Sequence, residues 1–179
     1  MKQDIIILQP VIETARMILR PLRASDVGLM TLYAADRRVA QMTTSIPHPY
    51  PPGAAEQFVA RATRPDRTDF TWAMDASDRG GAELHGMITL KQMDRDQSEI
   101  GYWVAPAMWN SGLASDAVKA LIVANPLANK TIFASVLQDN PGSARVLTNA
   151  GFVYLGDAEA FCVARGAKMA TWTYLKRLA

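Results

Sequence analysis

An apolar strand that runs through a short loop directly into a helix is the feature that most constrains this chain. It lies at residues 101–116, which read Gly-Tyr-Trp-Val-Ala-Pro-Ala-Met-Trp-Asn-Ser-Gly-Leu-Ala-Ser-Asp. The first turn of a helix has unpaired N–H groups and the positive end of the macrodipole, so phosphates bind there without a basic side chain. Gly112 and Ala114 are small enough to let a phosphate approach the backbone. The stretch predicts an anion cradle, although such a loop is also typical of ordinary chain reversal.

Hydrophobic periodicity predicts the element order β-α-α-β-β-β-α-β-α-β-β. Strands are expected at residues 17–22, 70–74, 83–90, 97–104, 131–137, 152–155 and 169–178. Helices are expected at 27–34 and 55–62, from near Gly112 to before Pro126, and at 141–150. Ser25 and Asp26 supply N-cap chemistry for the first helix, and Pro47 to Pro52 force an extended loop before the second. Asn140, which precedes a proline, starts the last helix, and Gly151 ends it.

The composition is that of a globular protein, with 49% hydrophobic and 20% charged residues. With this length we expect residues 1–179 to form a single domain. A formal net charge of +2 is too balanced for nucleic-acid binding. The apolar run Ile5–Leu8 is too short for a signal-peptide core or a membrane span. Cys162 is the single cysteine, which excludes an internal disulfide and fits a cytoplasmic location.

Four segments in order carry a resemblance to a known family. The run from Ser98 to Leu121 resembles motif A of the GNAT superfamily of acyl-CoA-dependent N-acyltransferases, and most of all its Rim-type branch, which includes enzymes that acetylate the N-termini of ribosomal proteins. The resemblance extends to Thr14–Leu22, Ile46–Tyr50 and Asp139–Gly156. It implies an α+β GNAT fold: a mixed, mostly antiparallel twisted sheet with helices on both faces and a splay between the fourth and fifth predicted strands.

The resemblance also implies acetyl-CoA as the acyl donor. Its pantetheine arm would lie along the open edge of the fourth strand, and its pyrophosphate would meet the cradle. The residues expected to bind it are Tyr102, Trp103, Val104, Ala105, Trp109, Asn110, Ser111, Gly112, Leu113, Ala114, Ser115, Asn140 and Ser143. Gly112 and Ala114 match the family pattern Gln/Arg-x-x-Gly-x-Gly/Ala. Trp109 stands at the Gln/Arg position and offers no equivalent polar contact to the pyrophosphate. The short segment 125–130 also departs from related sequences and would alter the adenine end of the groove.

Transfer of an acetyl group to an amine requires a neutral amine, stabilisation of an oxyanion and a proton for the departing thiolate. Glu99 is the candidate base; a substrate-orienting carboxylate and a solvated strand residue are the alternatives. Ser143 is the candidate acid by resemblance, against a plain helix-start serine, because Leu147 stands where many GNAT enzymes have a tyrosine. A coenzyme thiolate is a good leaving group, so a dedicated acid is dispensable. Asn140 combines an N-cap with the expected pantetheine contact.

The acceptor is expected to contact His48 and Tyr50 in the proline-stiffened loop, together with Glu99. His48 and His85 are the only histidines and lack carboxylates at ligand spacing, so no metal site is expected. Trp103 and Trp109 are expected to be core aromatics, with the wall of the groove as the alternative. Cys162 is expected to be an inert buried thiol.

We therefore expect a cytoplasmic GNAT N-acetyltransferase that transfers acetyl directly within a ternary complex to a primary amine, with no nucleic-acid or membrane partner. The Rim-type resemblance favours a protein N-terminus as acceptor, and an amino acid, polyamine or aminoglycoside would use the same chemistry. A catalytically idle acyl-CoA-binding or interaction module is the other alternative, for which Trp109 and Leu147 argue. A homodimer is expected from the family resemblance alone.

Overall fold

An eight-stranded sheet runs through residues 9–179, the part of the chain that the computed structural model describes. The strands are β1 (Ile12–Glu13), β2 (Ile18–Pro21), β3 (Asp69–Asp75), β4 (Gly86–Met93), β5 (Gln97–Val104), β6 (Thr131–Leu137), β7 (Val153–Cys162) and β8 (Ala167–Arg177). The helices are α1 (Val27–Ala34), α2 (Arg37–Ala40), α3 (Ala54–Ala62), α4 (Leu113–Ala124) and α5 (Pro141–Asn149). No helix among these residues is both long and apolar enough to span a bilayer. The run Ile5–Leu8 lies outside the described residues.

The expected splay is present between β5 and β6. The sheet order is β1-β2-β3-β4-β5-β6-β8-β7, and every neighbouring pair is antiparallel except β5 with β6. That parallel pairing covers only three residue pairs, from Gln97 with Thr131 to Glu99 with Phe133. Beyond Glu99 the two strands continue without pairing, while β5 keeps its ladder to β4 and β6 keeps its ladder to β8. A gap therefore opens within the sheet beyond Glu99.

The two faces of the sheet carry separate cores. Alternation along β5 places Ile100 and Val104 against α4 and α5, where Leu121 and Leu147 are fully buried. Burying an apolar side chain of this size contributes about 1.5–3 kcal/mol. The opposite face packs against α1 and α3 through a smaller cluster: Leu22, Met30, Ala55, Val59, Ala73, Leu84 and Met87. The gap between β5 and β6 thus connects two helix-covered faces.

Helix ends near the gap follow the local sequence signals. Asn140 accepts a hydrogen bond from the Ser143 backbone N–H at 3.3 Å and caps α5, as expected. Gly151 follows this helix with a φ of 88°, the left-handed conformation expected of a C′ glycine. Helix α4 ends early because Asn125 adopts a φ of 40° and exchanges hydrogen bonds with the backbone of Asn129 at 3.0 and 2.8 Å. These bonds stabilise the short 125–130 connection.

Several sequence-based boundaries are wrong. Asp26 does not cap α1, because its buried carboxylate binds the Arg20 guanidinium at 2.7 and 2.9 Å. The third predicted strand, 83–90, is shifted to Gly86–Met93, and strand β7 runs to Cys162 instead of ending at Leu155. The structure also contains the short elements β1 and α2, which periodicity did not indicate. In each case a tertiary contact or sheet pairing decides the outcome over the local pattern.

Candidate active site

A cavity of about 720 Å³ lies where β5 and β6 separate. Its lining includes Tyr50 from the proline-rich loop, Glu99 and Gly101 from β5, and Asn140 and Ser143 from the start of α5. The volume is in the range of pockets that bind small molecules. The cavity therefore brings together Tyr50 and Glu99 with four of the predicted donor residues, Tyr102, Trp103, Asn140 and Ser143. It includes neither His48 nor any of the predicted donor residues between 104 and 115.

Glu99 is the last residue of β5 that pairs with β6, so it stands at the edge of the gap. Its side chain is exposed, and it lines the cavity. Lys91 on β4 lies directly opposite Glu99, and Asp69 on β3 lies opposite Lys91. Opposite charges at directly facing positions of an antiparallel pair stabilise each other. Glu99 is thus a solvent-accessible carboxylate at the edge of the gap, in a position to accept a proton or to orient an ammonium.

Ser143 at the start of α5 and Tyr102 on β5 form a pair of hydroxyl groups that meet across the gap. The Ser143 hydroxyl donates to the Tyr102 phenol oxygen at 2.9 Å, and the phenol donates to the Ser143 carbonyl oxygen at 3.0 Å. Burial raises the pKa of Tyr102 to about 12, against the opposing effect of the hydrogen bond with Ser143. The phenol therefore stays protonated at neutral pH. Sequence reasoning had assigned Tyr102 to cofactor binding and had not identified its hydroxyl as a partner of Ser143.

The predicted cradle forms at the start of α4. Asn110 and Gly112 both adopt left-handed backbone, with φ of 58° and 84°, and turn the chain into the helix. The Leu113 N–H reaches the Ser111 hydroxyl at 3.4 Å, and the first helical bond runs from the Asp116 N–H to the Gly112 carbonyl at 3.0 Å. The N–H groups of residues 114 and 115 precede that bond and stay available at the helix start. The backbone therefore offers donors to an anion, as the sequence predicts.

Arg16 lies over this cradle. Its Nε and Nη2 atoms each contact the same Asp116 carboxylate oxygen at 2.8 Å, and its Nη1 donates to the Ser111 carbonyl. A Cβ built on Gly112 would meet Nη2 at 2.7 Å. Sequence reasoning missed this residue, since 95 positions separate it from Ser111 along the chain. The one available signal is that Arg16 lies in the segment Thr14–Leu22, which resembles the family.

The aromatic residues near the gap correct the expectation of core packing. Trp109 is 43% exposed, and its indole N–H donates to the Val104 carbonyl at 2.8 Å. Trp103 is half-buried, lines the cavity and packs edge-on against Tyr33 at a centroid distance of 6.4 Å. Trp103 packs at the margin of the smaller core cluster, whereas Trp109 lies outside the core because the loop after β5 carries it past the end of the sheet. At that end, Ala105 already donates its N–H to the His85 carbonyl at 2.8 Å.

The remaining candidates separate into lining and distant residues. Tyr50 lines the cavity, and burial raises the pKa of its phenol. His48 is exposed and does not lie in the cavity lining. Cys162 is fully buried and donates to the Thr43 carbonyl at 3.1 Å, which confirms a buried thiol. Among residues 9–179 no cluster of His, Cys, Asp and Glu could hold a metal ion.

The chain matches the acetyltransferase (GNAT) domain family over residues 16–153. It belongs to the GNAT family. It is therefore an acetyltransferase, and its acyl donor is acetyl-CoA. The splay between β5 and β6 and the open helix start at Gly112 fit this donor, since they offer a groove for the pantetheine arm and backbone donors for the phosphates.

Solved structures share this GNAT fold at low sequence identity. The microcin C7 self-immunity acetyltransferase MccE, bound to acetyl-CoA and AMP, is 13% identical with a TM-score of 0.79, over 92% of this chain and 94% of that one. RimL, a ribosomal L7/L12 α-N-protein acetyltransferase bound to coenzyme A, is 15% identical with a TM-score of 0.79, over 94% and 98%. Spermidine N-acetyltransferase from Vibrio cholerae, bound to CoA and spermine, is 16% identical with a TM-score of 0.77, over 92% and 96%. No curated protein matches the chain in sequence. These names cover different acceptors, so the likeness carries the fold and leaves the acceptor open.

Proposed function

We propose that this GNAT enzyme acetylates a primary amine at the end of an extended segment, as a peptide N-terminus presents it. The observation that carries the proposal is the cavity that joins Tyr50 and Glu99 to Ser143 through the gap between β5 and β6. Donor and acceptor must reach one thioester from different sides, and holding both in register removes much of the entropic barrier. The loop that contains Tyr50 supplies a wall for the acceptor opposite β5.

The residues around the gap have distinct roles in this proposal. Acetyl-CoA supplies the acyl group as a thioester whose thiolate is a good leaving group. Glu99 accepts the proton of the attacking amine, directly or through water. The Ser143 hydroxyl, which donates to the Tyr102 phenol oxygen, turns to the departing sulfur and passes it a proton that solvent replaces. Asn140 and the end of β5 hold the pantetheine arm, and the donors at residues 110–115 hold the pyrophosphate.

The charges around the cavity bear on the choice of acceptor. Four cationic side chains line it, against three carboxylates: Arg61, Arg64, Arg67 and Lys91, and Asp66, Asp69 and Glu99. Arg64 pairs with Asp66 at 2.8 Å, which leaves Arg61, Arg67 and Lys91 with two carboxylates. The lining therefore has no excess of carboxylates to bind the several positive charges of a polyamine. This charge balance supports a peptide or another acceptor with a single amine.

A panel of amines tests the acceptor. Coenzyme A release is measured with peptides, amino acids, polyamines and aminoglycosides, and mass spectrometry locates the acetyl group. Peptides with free N-termini should react faster than the same peptides N-blocked but carrying lysine. A kcat/KM for a small-molecule amine more than about tenfold above that of every peptide would correspond to about 1.4 kcal/mol of transition-state preference. That result would show that the proposed peptide acceptor is wrong and would leave the acetyltransferase activity unaffected. Absence of release with every amine would favour the idle acyl-CoA-binding alternative.

Two loop variants sharpen this test. Tyr50→Ala should raise the KM for the peptide more than the KM for acetyl-CoA, because Tyr50 lines the acceptor side of the cavity. The assignment of His48 to the acceptor site stays a prediction, and His48→Ala tests it in the same assay. If His48→Ala raises the KM for the peptide as much as Tyr50→Ala does, His48 belongs to the acceptor site. If the KM for the peptide is unchanged in His48→Ala, His48 does not contact the acceptor, and the assignment of Tyr50 is unaffected.

We also propose a cytoplasmic location and a homodimer. The single cysteine, which is buried and free, fits a reducing compartment. Strand β7 lies at the edge of the sheet and exposes several large apolar side chains: Val153, Tyr154, Leu155 and Phe161. An uncovered apolar edge strand favours pairing with another chain. Cell fractionation and light scattering at several concentrations test these two proposals.

A further inference from the structure

The loop before α4 lacks the polar side chain of the GNAT pattern at Trp109 and is contacted by a different polar side chain, that of Arg16. Trp109 stands where the GNAT pattern has Gln or Arg, and its indole N–H is bound to the Val104 carbonyl. Arg16 reaches the same loop from the turn between β1 and β2 and binds the Ser111 carbonyl. Its guanidinium lies against Gly112, the first residue of the cradle that a phosphate would approach. A cation therefore contacts the same loop that lacks the family's Gln or Arg side chain.

The partner of Arg16 makes this position electrostatically significant. Asp116 lies in the first turn of α4, so its carboxylate would repel a phosphate bound at the same helix end. Arg16 contacts that carboxylate at 2.8 Å and offsets its charge. The two side chains are 44% and 32% exposed. Exposed ion pairs add little to folding stability, so stability is a weak explanation for this pair.

We propose that Arg16 binds the diphosphate of acetyl-CoA and that Asp116 positions the guanidinium for this contact. An arginine has five N–H donors, and Asp116 and Ser111 engage three of them. The other two are free to bond to phosphate oxygens, for which the planar guanidinium is well suited. The proposal rests on acetyl-CoA as the donor and is independent of the acceptor.

Calorimetric titration of the full chain tests the proposal without turnover. The wild type and Arg16→Gln are titrated with acetyl-CoA and with acetyl-pantetheine, which has the same thioester and lacks the nucleotide and its diphosphate. Arg16→Gln should weaken acetyl-CoA binding about tenfold or more, as for loss of a charge-assisted contact, and should leave acetyl-pantetheine unchanged. Arg16→Lys should lose part of the affinity, because it keeps the charge without the planar fork.

A matched control separates this contact from a general loss of positive charge. Arg23 is 50% exposed and pairs with Glu83 at 2.8 Å, so Arg23→Gln also removes one exposed, ion-paired arginine. It should leave binding of both ligands unchanged. An equal loss in Arg23→Gln would overturn the proposal in favour of a long-range charge effect.

Two further results would overturn it. If Arg16→Gln weakens both ligands equally and lowers the melting temperature, Arg16 acts only in folding. If Arg16→Gln weakens binding of acetyl-CoA but leaves binding of acetyl-dephospho-CoA unchanged, Arg16 binds the 3′-phosphate instead of the diphosphate. A wild-type chain that binds no acetyl-CoA contradicts the donor assignment itself, which keeps that failure distinct from one at Arg16.

Discussion

Glu99 and Ser143 face the same gap from a strand and a helix, and their side-chain atoms decide what each can do. A carboxylate can take a proton from an amine, whereas the Ser143 hydroxyl needs the adjoining Tyr102 phenol to complete its hydrogen bonding. Glu99 on β5 is placed to accept a proton, and Ser143 in the helix after β6 is placed to deliver one. Single substitutions at Glu99 and Ser143 can therefore test their roles in acetyl transfer.

We expect Glu99→Gln to keep acetyl-CoA affinity and to lower turnover by about 10²-fold, the low end for a positioned general base. The amide keeps the size of the side chain and cannot accept the amine proton. Steady-state kinetics and an independent donor titration measure the two quantities. A rise confined to the acceptor's KM would assign Glu99 to substrate orientation, and an unchanged turnover would leave it a surface carboxylate.

Sequence reasoning placed some of these residues at the cavity and missed others for a physical reason. Glu99, Tyr50 and Ser143 line the cavity, because strand alternation, the proline-stiffened loop and the Asn140 cap are local features that the sequence displays. The contact of Arg16 with Asp116 joins positions 100 apart, and that of Tyr102 with Ser143 joins positions 41 apart. Neither follows from spacing along the chain. Trp109 was assigned to the core on hydrophobicity alone, although the loop carries it outward.

At the scale of elements, the start of α4 depends on backbone that favours glycine. Gly112 has a φ of 84° and lies against the Arg16 guanidinium, so a side chain there is strained and displaces its neighbour. The strand β5 before it and the helix after it were both predicted from periodicity, because their apolar faces are strongly patterned. Strand β7 is predicted to end at Leu155 because the following Gly-Asp-Ala-Glu-Ala consists of poor strand formers, and only pairing with β8 makes it a strand.

Gly112→Glu should abolish stabilisation of the protein by acetyl-CoA, because it adds bulk and a negative charge where the phosphates bind. For the wild type, a ligand at 100 times its dissociation constant adds about 2.7 kcal/mol to the free energy of unfolding. Thermal melting with and without millimolar acetyl-CoA measures the difference. Gly80→Glu is the matched control, since Gly80 has a similar φ of 78° with open space around its Cβ position. Gly80→Glu should keep the full rise in melting temperature with acetyl-CoA. If Gly112→Glu shows the same rise, phosphate binding at the start of α4 is ruled out.

At the scale of the whole molecule, a buried ion-pair network ties β2 to β3 and to the start of α1. Arg20 is held between Asp26 at 2.7 Å and Asp75 at 2.6 Å, and all three side chains are almost completely buried. Burial alone would raise the pKa of Asp75, but hydrogen bonds from Ser77 and Arg20 and the charge of Arg20 outweigh it and lower that pKa. The folded state therefore favours ionised Asp75.

The stability of the protein should consequently fall in acid. A carboxyl whose pKa is lowered by folding stabilises the protein above its unfolded pKa, near 3.9, and this contribution is lost as the pH falls below that value. Urea unfolding at intervals from pH 7 to pH 3 should show the decline. Asp75→Asn should reduce the free energy of unfolding at pH 7 by about 3 kcal/mol, since it leaves a buried charge with one partner fewer, and should flatten the decline below pH 4. An unchanged pH dependence in this variant would exclude Asp75 as its source.

The gap between β5 and β6 has a consequence for how the enzyme can diversify. One side of the cavity is built largely from one continuous stretch, residues 42–69, and the other from the separated parts of β5 and β6 and from the start of α5. Substitutions in the first stretch leave the Gly112 turn and the α5 cap untouched. If the first stretch binds the acceptor, as we propose, the acceptor can change while the turn and the cap that face the donor stay the same. The solved structures named for a ribosomal protein and for spermidine have this fold at 15% and 16% identity to the chain.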